Sequence, residues 1–311
     1  MSLSLSRSIN RIAPAVALFL GATGAFAQAA ADAPPGANPA RPTVTNPATL
    51  TPVGYLQFEQ GYLGSLNSPE TATQYGINQV TKLTVHPRLM LAVSSQPFAA
   101  STDTAGSPTS RDAGAVQAGF QAVLFTPTLT PPPVKSPTDA APEAQKSPIP
   151  TVAIGYYHTV YGGTAPDIDL GSATNTVLML FSGDVGAFHY DTNYIVNEQD
   201  GDSNIGLHTI RRAQFAQTLS VNHSAFNPNL QISVELYHFS QPLVSATAAG
   251  QPVARANLFD LLIAPSYQVR PNLIIDGGFS HGFTSTSTRW QSFAGFTYLL
   301  PHRLWPDHHK S

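Results

Sequence analysis

The stretch Asn229-Leu230-Gln231-Ile232-Ser233-Val234-Glu235-Leu236-Tyr237-His238-Phe239 decides the fold. Leu230, Ile232, Val234 and Leu236 alternate with Gln231, Ser233, Glu235 and Tyr237. A period of two belongs to a β-strand with one apolar and one polar face; a helix repeats every 3.6 residues. The alternation recurs on both sides of this stretch. Gly54 to Leu63 sets Leu56, Phe58 and Tyr62 against Gln57, Glu59 and Gly61. Ala187 to Asn197 sets Phe188, Tyr190, Tyr194 and Val196 against His189, Asp191 and Asn193. Arg212 to Val221 sets Ala213, Phe215, Leu219 and Val221 against Arg212, Gln214, Thr218 and Ser220.

Twelve segments of this kind are expected, near 54–63, 74–85, 88–96, 113–126, 151–160, 175–182, 187–197, 210–222, 229–239, 256–268, 272–282 and 289–300. Their connections alternate in length. Long polar loops are expected near 64–73, 97–112, 161–174, 198–209 and 240–255, and short turns at His86-Pro87, Gly183 to Gly186, His223 to Pro228 and Val269 to Pro271. Long outer loops and short inner turns are the pattern of a membrane β-barrel. Two connections strain it: a Pro-rich insertion at 127–150 stands where a short turn belongs, and Thr284 to Ser287 is a short outer loop. The fold class that follows is all-β, a transmembrane antiparallel up-and-down β-barrel of about twelve strands. Gly54 to Leu300 allows about 21 residues for each strand and connection, enough for a tilted spanning strand of roughly 9–11 residues.

Composition narrows the alternatives. Only 11% of the 311 residues are charged, under half the roughly 25% of a soluble domain. The polar faces carry Gln, Asn, Ser, Thr and Gly, whereas a water-exposed sandwich would carry Lys, Glu, Asp and Arg there. No repeat of about 40 residues marks a propeller. The net charge of −3 argues against nucleic acid, whose binders show a basic stripe. The chain has no cysteine, which removes disulfides and thiolate metal sites from consideration.

The chain divides into four parts. Residues 1–27 have the order of a secretory signal peptide: Arg7 and Arg11, an apolar run from Ile12, then Ala25-Phe26-Ala27 as the cleavage site. Residues 28–53, rich in Ala, Pro, Asn and Thr, read as an extended periplasmic tail. Residues 54–300 form the barrel, and 301–311 a C-terminal tail. Export followed by the bacterial outer membrane is the expected destination, with membrane lipid, a small-molecule solute and the barrel-assembly machinery as partners.

Gly54-Tyr55-Leu56-Gln57-Phe58-Glu59-Gln60-Gly61-Tyr62, preceded by Arg41-Pro42-Thr43, resembles the opening of a known family. These are the porin-like outer-membrane proteins associated with the meta pathway of phenol degradation. Tyr75-Gly76 and Phe293-Ala294-Gly295-Phe296-Thr297-Tyr298 stand where that family has a second-strand Tyr-Gly and a closing strand. The chain departs from the family at Gln74 and Asn78 to Thr81, which lack the usual charges. It departs again at Asp112-Ala113-Gly114 and in the extension Pro301 to Ser311. The resemblance implies a barrel that transports solutes.

Strand parity selects Glu59, Lys82, Arg212, Glu235, Asp260 and Asp276 as lumen charges, the groups that would set ion or solute preference in a pore. In a plugged barrel the same residues would form internal ion pairs. Tyr55, Tyr62, Tyr194, Tyr237, Tyr267, Tyr298, Trp290 and Trp305 are expected in interfacial girdles. No cofactor or metal is expected; His308-His309 beside Asp307 reads as an exposed tail. The expected function is passage of small, including aromatic or other organic, solutes by passive or weakly selective diffusion. Two alternatives stand beside it. One is a sealed structural or adhesive barrel, and the other a lipid hydrolase using His281 with Ser280 or Ser285, although no G-x-S-x-G elbow is present.

Overall fold

A computed structural model of the chain describes residues 35–68, 71–103, 108–127, 147–162, 173–199, 212–224, 226–242 and 255–305. The expected leader, residues 306–311 with their histidine pair, and positions 128–146 of the Pro-rich insertion lie outside them. The described residues form thirteen strands and no helix. In chain order these are β1 (Leu56–Leu66), β2 (Thr71–His86), β3 (Leu89–Asp103), β4 (Pro108–Asp112), β5 (Val116–Phe125), β6 (Thr151–Tyr161) and β7 (Ala173–Val185). They continue as β8 (Phe188–Gln199), β9 (Arg212–Ser224), β10 (Leu230–Pro242), β11 (Arg255–Arg270), β12 (Leu273–Gly282) and β13 (Trp290–Leu299).

Successive strands pair antiparallel, and β1 closes on β13 from Gln57↔Leu299 to Leu66↔Trp290. β4 pairs only with the far end of β3, whose first half pairs with β5. Twelve strands therefore make a closed wall. Closure leaves the twelve-strand wall without an unpaired edge, the condition for a sheet to stand in hydrocarbon. The segment 97–112, expected as a loop, is instead an extension: β3 runs on to Asp103 and β4 folds back against it.

The alternation seen in the sequence sorts side chains by face. On β10, Val234 and Leu236 are 43% and 41% exposed, while Ser233 and Glu235 are 4% and 0%. Leu91, Val93, Val177, Met179, Val196, Phe215, Leu219 and Phe279 continue the exposed apolar belt around other strands. Gln57, Gln121, Asn193, Asn197, Gln214 and Thr218 line the inside, all buried. That is a soluble protein turned inside out, as lipid contact requires. Short turns at Pro87-Arg88, Gly186-Ala187, 226–229 and Pro271-Asn272 share one rim with the first residue of β1 and the last of β13. Gly186, at φ 61°, supplies the left-handed residue that a two-residue hairpin favours. This rim faces the periplasm by the usual rule for such barrels.

The expectation of a periplasmic tail at 28–53 is corrected by its described part. Residues 35–53 lie inside the barrel, where Thr45, Ala48 and Thr51 are buried. The physical reason is pairing. An extended segment without helix or strand partners carries free N–H and C=O groups, and the inner wall carries carboxylates and amides that need them. The C-terminal segment also closes inward at its start. Leu304 N donates to Gly54 O at 2.8 Å and Arg303 Nε to Val53 O at 3.0 Å. Gly54 sits at φ 83°, and a side chain there would meet Arg303 within 2.7 Å. Only glycine fits that crossing.

Candidate functional site

The candidate site is the lumen together with the segment 35–53, here called the strap. It begins at the periplasmic rim, where Ala37 N donates to Pro271 O at 2.9 Å. Asn38 and Gln57 then exchange hydrogen bonds: Asn38 N to Gln57 Oε1 at 2.9 Å and Gln57 Nε2 to Asn38 O at 2.7 Å. Ala40 N donates to both carboxylate oxygens of Glu59, whose Oε1 also receives Lys82 Nζ. On the opposite wall Glu235 accepts Val44 N at 2.8 Å and Thr45 N at 2.7 Å, and the Thr45 hydroxyl as well. Asn193 forms a two-way pair with Asn46, accepting its N–H at 2.7 Å and donating to its carbonyl at 2.8 Å.

The strap then returns. Ala48 N donates to Ser182 Oγ at 2.6 Å, while Gln121 Nε2 donates to Pro47 O and Ala48 O at 3.0 and 3.1 Å. Thr51 meets Thr84 hydroxyl to hydroxyl at 2.7 Å, and Gly54 N reaches Thr84 O. Asn38 Nδ2 donates to Thr49 O and Leu50 O, tying the outgoing limb to the returning one. The strap is thus a loop laid around the periplasmic half of the lumen, touching β1, β2, β5, β7, β8, β9 and β10 through inward side chains. Charge-assisted bonds of the Glu235 kind contribute about 1.5–3 kcal/mol each, and neutral ones about 1 kcal/mol.

Arg41 fixes the strap to the closing seam. Its guanidinium lies 3.4 Å from Asp276 Oδ1 and passes over Gly61 and Gly295, which pair across β1 and β13. A Cβ on Gly61 would fall 1.9 Å from Arg41 Nη2, and one on Gly295 2.7 Å from it. Two glycines side by side therefore cut a slot in the wall that a planar guanidinium fills.

Beyond the strap the lumen opens into a cavity of about 440 Å³. Ala40, Val44 and Asn46 of the strap form part of its lining, with Leu63, Val80, Tyr157, Leu178, Ile195 and Phe239 from the wall. Gln79, Gln96, Gln117 and Asn197 add polar groups. Much of this wall is apolar because the inward faces carry a cluster of their own, including Leu178, Leu180, Ile195, Tyr237, Phe239, Leu258 and Leu262. On the other side, a gap of about 10 Å³ remains near Thr49, Thr51, Met90 and Gln121, about the space of one water-sized probe.

Of the lumen charges selected by parity, Glu59, Lys82, Glu235, Asp260 and Asp276 are buried in the interior. The structure brings Glu59 and Lys82 into contact and joins Asp276 to Arg41, a residue that parity could not select. The side chain of Arg212 lies outside the described residues. Parity also passed over a group near the periplasmic rim, where His189 Nδ1 lies 2.9 Å from Asp184 and Nε2 3.3 Å from Asp191. The HxD spacing on one strand face was its signal. Tyr237, expected in a girdle, is a correction. It is buried at 6% exposure, edge-on to Phe239, with its hydroxyl 3.4 Å from Ser280 Oγ. Residue 237 shares the parity of Glu235, and the wall side wins. Tyr62, Tyr194, Tyr267 and Trp290 are exposed on the outer surface. His281 packs at a tilt against Trp290 with centroids 4.2 Å apart, on the face opposite Ser280, while Ser285 sits in the β12–β13 loop.

A closed twelve-strand wall, an outward apolar belt and a polar, occupied interior define an outer-membrane β-barrel. No family model matches the chain, and no curated protein does. Solved structures do. An outer-membrane channel from Pseudomonas putida F1 aligns with a TM-score of 0.54 at 11% identity, over 81% of this chain and 98% of that one. The NanC porin aligns at a TM-score of 0.47 and 9% identity, over 78% and 98%. At 11% identity the first likeness speaks for the fold alone.

Proposed function

We propose that the barrel is a channel for small organic solutes, which cross by weakly selective diffusion. The cavity carries this reading: about 440 Å³ inside a membrane-spanning wall, lined by both apolar and amide side chains. A purely hydrophilic bore would favour ions and sugars, whereas Leu178, Ile195 and Phe239 offer a solute an apolar surface. The resemblance of the first strand to the porin-like proteins of the meta pathway agrees with that surface and makes small aromatics the first solutes to assay. An N-terminal leader and the barrel-assembly machinery would deliver the chain.

Conductance in a planar bilayer tests the reading. The full mature chain should give discrete current steps, larger after removal of 35–53. One observation favours a second reading, a sealed barrel: among the described residues the gap between the strap and Lys82, Met90, Gln121 and Tyr157 is about 10 Å³. Silence from the full chain with steps once 35–53 is removed would support the sealed structure, and silence from both forms would overturn the channel.

A further inference from the structure

We propose that the lumen selects by charge, admitting small cations, organic ammonium ions among them, and opposing anions. This rests on the channel reading. Six described carboxylates face the interior, those of Glu59, Asp184, Asp191, Glu235, Asp260 and Asp276. They are spread along the bore. Asp184 and Asp191 stand by the β7–β8 turn, Glu235 lies five residues into β10, and Asp260 lies ten residues from the periplasmic end of β11.

Among the described residues the basic groups are fewer; three of them already face an acid, and a fourth, Arg303, donates to Val53 O at the periplasmic rim. Lys82 is on Glu59, Arg41 is 3.4 Å from Asp276, and His189 lies between Asp184 and Asp191. Glu235 differs from all of them. Its donors are two backbone N–H groups and a hydroxyl of the strap, all neutral. Even with His189 charged and Arg303 counted, the six described acids outnumber the four described bases, so the field of the described residues is negative. Low-dielectric walls focus such a field along a narrow bore and raise the local concentration of the opposite charge. The cavity adds a second preference. Phe239 and Tyr157 present aromatic rings beside Leu178 and Ile195, and ring faces attract ammonium groups. An amine on a small apolar body satisfies both the field and the wall.

The test is the reversal potential of the purified full chain in a planar bilayer under a KCl gradient, then with benzylammonium chloride and with potassium benzoate. The potential should shift toward the potassium equilibrium value, and benzylammonium should carry current where benzoate does not. Asp184→Asn, at the rim and clear of the strap, and Glu235→Gln should each move the potential toward zero. Current steps that reverse at zero or on the chloride side would overturn charge selection and leave the channel standing. A cation preference that neither variant moves would overturn the assignment to these carboxylates. Absence of steps from both the full chain and the chain lacking 35–53 would overturn both readings together.

Discussion

Single side chains in this barrel are tested by what lies one residue away. Val234 faces lipid and Glu235 the strap, although they are neighbours on β10. Val234→Arg should cost about 2–4 kcal/mol of folding stability in lipid vesicles if it lies near the bilayer midplane, read from a urea titration. Glu235→Gln keeps the wall intact but turns one acceptor into a donor opposite the strap's N–H groups. Its cost, about 1–3 kcal/mol for a buried group left unmatched, should appear as larger or noisier current steps and a modest fall in the urea midpoint. The slot at the seam makes a third case. Gly61→Ala places a methyl 1.9 Å from Arg41 Nη2, and the atom in the way is the end of a flexible side chain. The barrel should fold as before while Arg41 leaves Asp276. Arg41→Ala should have the same effect on conductance, and adding Asp276→Asn should recover stability, because it removes a buried carboxylate left without its partner.

At the level of elements, the wall and the strap answer to different rules. The wall is held by β-ladders, among them a complete seam from Gln57 to Leu66, and none of these ladders includes residues 35–52. Deleting 35–53 should therefore leave the β-sheet signal in circular dichroism and the resistance to proteolysis of the inserted barrel, while raising conductance. All twelve wall strands were legible, because a period of two survives any exchange of one apolar residue for another. Turns were legible at Pro87, Gly186 and Pro271 for the reasons those residues favour turns. The strap was not. Its sequence has no period, and its partners are Glu59, Glu235 and Asn193, each holding backbone, which looks alike in every residue. Parity selected Glu59, Lys82, Glu235, Asp260 and Asp276, whose side chains are buried, but Arg41 lies outside any strand, and nothing in the sequence joins it to Gly61, Gly295 and Asp276. The apolar inner cluster was missed for a further reason. Tyr237 and Phe239 lie at inward positions, and an apolar residue in a strand reads as lipid-facing when the interior is assumed to be wet.

The whole molecule has a direction, and the absence of native cysteine makes it measurable. A single cysteine at Ser285, in the β12–β13 loop, should react with a membrane-impermeant maleimide on intact cells; one at Ala187, in the β7–β8 turn, should react only after the outer membrane is opened. The reverse pattern would invert the assignment of rims. The strap gives that direction a mechanical meaning. Both of its limbs leave by the same end, one beside Pro271 and the other at Gly54, so it is coiled in the bore as rope is coiled in a bucket, without passing through the bottom. Nothing need be unzipped to lift it out. A pull from the periplasm on the residues ahead of Pro35 would peel its bonds one after another, beginning with Ala37 and Asn38, and the vessel would stay whole while it emptied.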